Sequence, residues 1–338
     1  MLTGALRRGK QPGPDHRPYG RLKKAEVSRV MEFKNISVIG AGLMGHGIAQ
    51  IFAVKGCSVT LMDVKEDILS KALDNIRSNL ALMSEHGIGP EEGIGPALQR
   101  IKTTQSLEEA SEGAQFVVEA VNENLELKQN IFKKLDALCP RETILATNTS
   151  VISITEIAQS AENRDRIVGT HFWNPPYLIP LVEVVKGRDT SLDTMEQTFG
   201  LLKETGKHPV RVNKDVPGFV GNRLQHALWR EAVSIVEHGI ADPSTVDECI
   251  KFGFGLRLPH LGPMENMDMV GTDLTLAIHD YILKYLESSP EPSPLLRKLV
   301  EEGKLGFKTG RGFQEWPEQK AQQSRKSLQE YLLRITKG

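Results

Sequence analysis

Short apolar runs, many of them β-branched, alternate over residues 31–212 with stretches in which apolar residues recur every third or fourth position. The runs are typical of strands buried in a parallel sheet, and the recurring pattern is typical of helices packed on such a sheet. Strands are predicted at residues 36–39, 58–62, 116–121, 143–146, 166–170, 181–185 and 209–212. The alternation predicts an α/β fold with a Rossmann-type, doubly wound sheet.

The spacing of apolar residues also predicts the helices and the domain organisation. Helices are expected at 66–83, 125–138 and 193–205, with a helical hairpin inserted around the Gly/Pro-rich stretch 87–96 and continuing through 97–102. Polar residues with Pro and Gly at 214–218 mark the domain boundary. Beyond it the chain is predicted to be wholly helical, at 219–238, 243–252, 264–286, 294–302 and 318–335, with C-caps at Gly239 and Gly303.

These elements divide the chain into a dinucleotide-binding domain over residues 31–213 and an all-α domain over 214–316. A helical tail follows over 317–338. The tail helix is the weakest of these predictions, with a mobile segment as the alternative.

Three glycines directly after the first strand form the pattern G-x-G-x-x-G. Gly40 allows a sharp turn, Gly42 lets the backbone approach a pyrophosphate, and Gly45 lets the next helix pack closely on the strand. Leu43 and Met44 belong to the same turn, at a helix N-terminus that favours negative charge. The pattern predicts a dinucleotide-binding turn, with a glycine turn in another kind of α/β protein as the alternative.

The second strand ends at Asp63, at the distance from the glycines where dinucleotide-binding domains carry an acidic residue. A carboxylate there accepts hydrogen bonds from the adenosine ribose and repels a 2′-phosphate. Asp63 therefore favours NAD over NADP as the cofactor, although nearby Lys65 weakens this preference.

Composition excludes several functional classes. A chain of 338 residues suggests about two domains, and 39% hydrophobic with 25% charged residues is ordinary for a globular protein. A net charge of −1 gives no general attraction to nucleic acid or membranes. No run approaches the ~18 apolar residues of a spanning helix. Cys57, Cys139 and Cys249 match no metal or redox spacing and are interpreted as reduced core residues of a cytoplasmic protein without a bound metal.

The first thirty residues carry eight Lys and Arg against two acids. They contain no apolar h-region, so they are not a secretory signal. We interpret residues 1–30 as a disordered basic extension, with Met31 as a plausible start, and an organellar transit peptide is the alternative.

Polar side chains cluster where predicted strands end and where the second domain begins. They are Asn148, Thr149 and Ser150, then His171 with Asn174 and Glu183, and finally Asn222. An alcohol dehydrogenase needs a base for the hydroxyl proton, and a histidine paired with a carboxylate can serve without a metal. His171 and Glu183 are the candidate pair, and a structural histidine is the alternative.

Five motifs resemble the L-3-hydroxyacyl-CoA dehydrogenase family. They are HFWNPPYLIPLVEVV at 171–185, NTS at 148–150, DVPGFVGNRL at 215–224, ENLELKQNIF at 123–132 and GKLGFKTGRGF at 303–313. The resemblance runs from about residue 34 to residue 316. It implies NAD-dependent oxidation of the 3-hydroxyl of a short-chain L-3-hydroxyacyl-CoA, or the reverse, in fatty acid β-oxidation.

The resemblance also implies a role for each site residue. His171 is the general base in oxidation and the acid in reduction, and Glu183 orients it and stabilises its cation. Ser150 and Asn222 bind the substrate oxygens, and Ser150 also lies at the cofactor. The remaining positions match cofactor contacts: Asn174 at the nicotinamide end, then Glu123, Lys128 and Lys308, for which solvated surface charge is the alternative. The family implies a homodimer formed through the helical domain.

The chain departs from the family in the inserted hairpin, where the family handles CoA. His86 stands where the family usually has a lysine, and the tip, MSEHGIGPEEGIGP at 83–96, is acidic. Lys71 and Arg77 are the nearest cations for a 3′-phosphate.

Two other motifs point to different branches of related enzymes. NPPYLIPLVE at 174–183 is similar to the lambda-crystallin/L-gulonate 3-dehydrogenase branch and to carnitine dehydrogenases, which oxidise free 3-hydroxy acids, whereas KTGRGF resembles the acyl-CoA branch. We favour the acyl-CoA substrate over the free 3-hydroxy acid, and a non-enzymatic dinucleotide-binding protein is the third hypothesis.

Overall fold

The structure is a computed structural model that describes residues 32–336. The predicted extension over 1–30 lies outside the described residues. In the described part of the chain the strands are β1 (Asn35–Ile39), β2 (Ser58–Met62), β3 (Ile101–Thr104), β4 (Phe116–Glu119), β5 (Ile144–Thr147), β6 (Ile167–Phe172), β7 (Leu181–Val185) and β8 (His208–Val212). The helices of the first domain are α1 (Gly45–Val54), α2 (Glu66–Glu85), α3 (Ile94–Gln99), α4 (Leu107–Ser111), α5 (Leu125–Leu138), α6 (Ile154–Ala158) and α7 (Leu192–Glu204). Those that follow are α8 (Gly221–Glu237), α9 (Pro243–Phe252), α10 (Pro263–Val270), α11 (Thr272–Ile282), α12 (Pro294–Glu301) and α13 (Glu318–Thr336).

All eight strands form one sheet in the order β3-β2-β1-β4-β5-β6-β7-β8. Every neighbouring pair is parallel except β6 and β7, which are antiparallel. The chain winds outward from β1 to β3 and then crosses to β4 on the other side of β1. The strand order therefore reverses between β1 and β4, which is where α/β sheets open a binding crevice at their carboxyl ends. The predicted doubly wound sheet followed by a helical domain is confirmed.

Both faces of the sheet are covered, as the continuous apolar runs require. Successive residues of β4 point to opposite faces, so Phe116 packs with Phe52 of α1 while Val117 packs with Phe132 of α5. The strands that carry the site are thus packed against helices on both faces of the sheet.

Several elements differ from the predictions. The edge strand β3 and the short helices α4 and α6 were not predicted, and residues 97–102 are the end of α3 and the start of β3 rather than one helix. The single helix predicted at 264–286 is broken at Gly271, whose φ of +104° is incompatible with a continuing helix. Cys57 and Cys139 are buried, but the core assignment of Cys249 is wrong, because this residue is exposed on α9.

The helices of the second domain bury few of their side chains within the chain. None of the residues from Gly221 to Glu301 is buried, although α8–α11 carry large apolar side chains, among them Leu224, Trp229, Leu276 and Tyr281. No helix in the part of the chain that the structure describes is long and apolar enough to cross a membrane.

The last helix, α13, folds back onto the first domain. Its Leu332 and Leu333 are buried in a small apolar cluster with Leu178, which lies between β6 and β7. Residues 318–336 therefore form a helix whose C-terminal part packs on the first domain.

Candidate active site

In the glycine turn (residues 40–45), the second of the three glycines has free space beside its Cα atom, and the other two do not. A Cβ atom on Gly40, which has φ +99°, would lie 2.7 Å from the carbonyl oxygen of Ala120. One on Gly45 would lie 1.7 Å from the carbonyl oxygen of Gly40, whereas one on Gly42 meets no atom within 4 Å among the described residues. The turn is thus closely packed on the sheet side and leaves room for a phosphate group at Gly42, which fits a dinucleotide.

The start of α1 and the end of β2 complete this half of the crevice. Asp63 Oδ2 accepts a hydrogen bond from the Ala41 amide (2.9 Å), which joins the acid to the glycine turn. Met44 is the N-cap of α1 without a side-chain capping bond, and the first turn of α1 carries no acid. Leu43, at the tip of the turn, is exposed. The N-terminal amides of α1 are therefore suited to an anionic ligand.

His171 and Glu183 face each other across the antiparallel pair β6 and β7. They are register partners in this ladder, and His171 Nδ1 lies 2.7 Å from Glu183 Oε2. Both side chains are buried. The antiparallel pairing explains their spacing in the sequence. The chain leaves β6 after His171, turns, and returns along β7 so that Glu183 lies opposite His171.

The second carboxylate oxygen of Glu183 reaches the helical domain. Oε1 accepts hydrogen bonds from the amides of Val220 and Gly221, both at 2.9 Å, where α8 begins. Burial alone would raise the pKa of Glu183, but the hydrogen bonds from His171 and from these two amides outweigh it and lower the pKa below its usual value. Glu183 is therefore a buried anion that is paired on both oxygens.

Aromatic rings enclose the histidine. The ring centroids of Trp173 and Phe219 lie 5.3 and 5.7 Å from that of His171. Because Nδ1 is bonded to Glu183, Nε2 is the nitrogen that can meet a substrate hydroxyl. The imidazole is thus held in one orientation with its reactive nitrogen on the side away from Glu183.

Ser150 and Asn222 are brought together, although they belong to different domains. Asn222 Nδ2 donates a hydrogen bond to the Ser150 carbonyl oxygen (3.0 Å). Behind Ser150, Asn148 Oδ1 accepts a hydrogen bond from the Phe172 amide (2.9 Å), next to His171. The predicted polar groups of β5, β6 and α8 therefore converge on one crevice.

Glu123 organises the loop that carries Ser150. Its Oε1 accepts hydrogen bonds from the Thr149 hydroxyl (2.5 Å) and from the amides of Ser150 (2.9 Å) and Val151 (3.1 Å). Burial opposes ionisation, but the bond from Thr149 and the charge of Lys128 hold the pKa of Glu123 below its usual value.

Lys128 is not a solvated surface charge, because its side chain is only 1% exposed. Its Nζ donates to Glu119 Oε1 (2.7 Å) and lies 3.4 Å from Glu123 Oε2. Glu119 also accepts a hydrogen bond from the Thr147 hydroxyl (2.7 Å), and it was missed in the sequence. An acid inside a buried strand needs a partner, and this requirement could have identified Glu119 and its lysine.

Asn174 and Lys308 are exposed. Asn174 follows β6 and precedes a cis peptide bond to Pro175. Lys308 lies in a loop closed by a bridge between Gly306 and Arg311. Their contacts with the cofactor stay predictions.

A cleft of about 1820 Å³ opens beside the site. Val151, Gly218 and Asn222 line one end of it, and it continues along α8 past Trp229 to Phe313. The lining of the cleft therefore runs from the crevice to the exposed helices of the helical domain.

Comparison with known proteins gives matches over most of the chain. The family model described as "3-hydroxyacyl-CoA dehydrogenase, NAD binding domain" matches residues 35–216, and that described as "3-hydroxyacyl-CoA dehydrogenase, C-terminal domain" matches residues 218–316. "Probable 3-hydroxybutyryl-CoA dehydrogenase" of Bacillus subtilis is 42% identical over 85% of this chain and 99% of its own length. The predicted NAD cofactor is thereby confirmed.

Two solved structures extend the comparison. The 5-formyl-3-hydroxy-2-methylpyridine 4-carboxylic acid 5-dehydrogenase, an NAD⁺-dependent dismutase, superposes with a TM-score of 0.84 at 32% identity, covering 91% of this chain and 99% of its own. The (S)-3-hydroxybutyryl-CoA dehydrogenase of Ralstonia eutropha superposes with a TM-score of 0.71 at 36% identity, covering 85% of this chain and 100% of its own. The relatives therefore share a fold but differ in substrate.

Proposed function

We propose a reaction for this chain, which belongs to the 3-hydroxyacyl-CoA dehydrogenase family. The chain oxidises the 3-hydroxyl of a short-chain L-3-hydroxyacyl-CoA to the ketone, or catalyses the reverse reaction. The observation that carries this proposal is the buried pair of His171 and Glu183, which lies in the crevice with Ser150 and Asn222. A role in fatty acid β-oxidation is part of the same proposal and rests on the resemblance. A cytoplasmic location is also proposed, and it rests on the three cysteines, which match no metal or redox spacing.

Bound NAD supplies the acceptor or donor of the hydride. His171 removes the hydroxyl proton at Nε2 during oxidation and returns a proton to the oxygen during reduction. Glu183 fixes the tautomer through Nδ1 and stabilises the imidazolium that forms. Because two amides of α8 also bond to Glu183, its carboxylate keeps its charge while His171 cycles between its two forms.

The other residues bind and orient. In this proposal Ser150 and Asn222 hold the oxygen atoms of the substrate. Leu43 and Met44 belong to the turn that receives the pyrophosphate, and Asp63 binds the adenosine ribose. Asn174 serves the nicotinamide end of the cofactor. Glu123, Lys128 and Lys308 are proposed as further cofactor contacts, and Lys128 is paired with Glu119 and Glu123.

Replacing Asp63 with alanine is expected to lower the ratio of kcat/KM for NADH to that for NADPH by about 10- to 100-fold. The change removes a charged acceptor for the ribose, which typically contributes ~1.5–3 kcal/mol. Steady-state rates with both cofactors measure it, and Asp67→Ala on α2, an exposed acid, is the matched control. An unchanged ratio would mean that another group reads the ribose.

A second candidate is NAD-dependent oxidation of a free acid, of the L-gulonate or carnitine type. Two observations favour it. The structure with the TM-score of 0.84 is a dehydrogenase of a free pyridine carboxylate. In addition, the nearest cations are all paired with acids, Lys71 with Asp67, Arg77 with Asp74 and Arg100 with Glu92, so the hairpin offers little unpaired positive charge to CoA.

A substrate panel separates these candidates. We expect kcat/KM for acetoacetyl-CoA to exceed that for the oxidation of L-gulonate, L-carnitine or 3-hydroxybutyrate by about 100-fold or more, since CoA contributes binding energy that the free acids lack. Absorbance of NADH is the readout. A preference for a free acid would replace the first candidate by the second. Tight NADH binding without turnover of any compound would favour a non-enzymatic protein.

We also propose that the chain forms a homodimer through α8–α11. A helix stabilises a protein by burying its apolar stripe, and these helices bury none of their residues within the chain. Exposed apolar patches of this extent mark contact sites. A second copy of the same helices presents the same apolar composition, as a twofold interface requires.

Replacing Leu276 or Leu224 with aspartate is expected to convert the dimer to a species of one chain mass, 37.5 kDa, because each change places a charge in the apolar contact. Light scattering after size exclusion measures the mass. Leu192→Asp, on α7 of the first domain and 49% exposed, should leave the dimer intact. A wild-type protein of single-chain mass at micromolar concentration would contradict the proposal.

A further inference from the structure

Helix α13 begins on the helical domain. Lys320 Nζ lies 4.5 Å from the ring centroid of Trp316, and the Arg325 guanidinium lies 5.2 Å from that of Phe307. The rings of Phe307 and Trp316 are themselves in contact, with centroids 4.5 Å apart. The first half of α13 is therefore attached by cation–π contacts to the loop that contains Lys308.

The second half of α13 is attached to the dinucleotide-binding domain. Leu333 is 1% and Leu178 is 2% exposed, and Leu332 completes their apolar cluster. The Thr336 hydroxyl donates a hydrogen bond to the Leu178 carbonyl oxygen (3.3 Å). This bond and the cluster both fall on residues 173–180, called here the 173–180 loop.

The 173–180 loop touches the catalytic histidine at one end and the cofactor helix in its middle. It begins at Trp173, whose ring packs on His171. Pro176 and Tyr177 pack on Gly47 of α1 so closely that an added Cβ there would lie 2.6 Å from Pro176 Cγ. Lys207 Nζ also donates to the Pro176 and Ile179 carbonyl oxygens.

We propose that α13 is a brace between the two domains that fixes the 173–180 loop, with Leu332 and Leu333 as positioning residues that act through Leu178. Without the brace, the loop keeps Lys207 but loses the packing that presses it toward α1 and His171. The family models end at residue 316, so they assign no role to this helix. Of the measurements described below, only the expected change in kcat/KM rests on the proposed function.

The experiment compares full-length Leu333→Ala with Leu328→Ala, which changes a 57% exposed leucine of the same helix. We expect Leu333→Ala to speed amide exchange in residues 173–180, to weaken NADH binding and to lower kcat/KM by about 10- to 100-fold, as small misplacements of a site do. The shape of the pH–rate profile should not change, because the bond between His171 and Glu183 remains. Leu328→Ala should behave as wild type.

Amide exchange and NADH binding test the brace even if the protein acts on another substrate, because neither measurement needs turnover. Exchange in the loop and NADH affinity equal to those of Leu328→Ala would overturn the inference. So would a uniform rise of exchange over the whole sheet, since that indicates general destabilisation. If Leu333→Ala does not fold, Thr336→Val removes the hydroxyl that bonds to the Leu178 carbonyl oxygen and is expected to change the same two quantities in the same direction. An unchanged loop in that variant would again overturn the inference.

Discussion

Replacing His171 with glutamine is expected to lower kcat for acetoacetyl-CoA reduction by about 10²- to 10⁴-fold, the range that general acid–base catalysis typically contributes. Glutamine has a similar reach and can still hydrogen-bond to Glu183, so the bond between β6 and β7 is retained. It cannot transfer a proton at the position of Nε2. The loss should therefore appear in kcat, while NADH affinity, measured by fluorescence, stays within a few-fold of the wild type.

His208 provides the matched control for this variant. It lies on β8 of the same sheet and is exposed, so His208→Gln should leave kcat unchanged. Activity of the His171 variant within about tenfold of the wild type would mean that another group handles the proton.

Replacing Glu183 with glutamine is expected to lower both kcat and stability. The carboxylate accepts three hydrogen bonds, from His171, Val220 and Gly221. An amide accepts through only one oxygen, and its NH₂ group would face a donor, so at least one buried group loses its partner at about 1–3 kcal/mol. The imidazolium also loses its counter-charge. We expect kcat to fall by about 10²-fold or more and the urea midpoint to fall in parallel.

The stability effect of Glu183 depends on pH in a defined direction. Its pKa is lower in the folded protein than in the unfolded chain, so the wild type binds fewer protons when folded. The stability from Glu183 is fully present above the unfolded pKa and is lost as the pH falls through the folded pKa. Urea unfolding at several pH values should therefore show the wild type and Glu183→Gln converging in acid.

Glu196→Gln serves as the control for the pH series. Glu196 forms a half-exposed pair with Arg211 on the surface, and such pairs contribute little to stability. Its unfolding midpoint should follow that of the wild type at every pH. A gap between the wild type and Glu183→Gln that widens in acid would contradict the assigned charge of Glu183.

Local features were predictable from the sequence. The glycine turn was predictable because only glycine fits where a Cβ atom would clash, as at Gly40 and Gly45. His171 and Glu183 were predicted as a pair, but the sequence did not show why the two side chains meet. They meet because β6 and β7 are antiparallel. A pattern of apolar runs cannot distinguish an antiparallel connection from a further parallel crossover.

Features that depend on distant contacts were not predictable. The packing of α13 depends on Leu178, which is far away in the sequence. Gly271 interrupts an otherwise continuous helical pattern, because its backbone conformation is set by the fold around it and not by the apolar spacing.

The most direct test of the catalytic pair is the pH dependence of kcat/KM in both directions of the reaction. Oxidation needs neutral His171 and reduction needs its cation, so the two rates should change in opposite directions across one shared ionisation. The same ionisation should be missing from both profiles in His171→Gln. Profiles that keep this ionisation in the variant, or that rise together with pH in both directions, would contradict the assignment of proton transfer to His171.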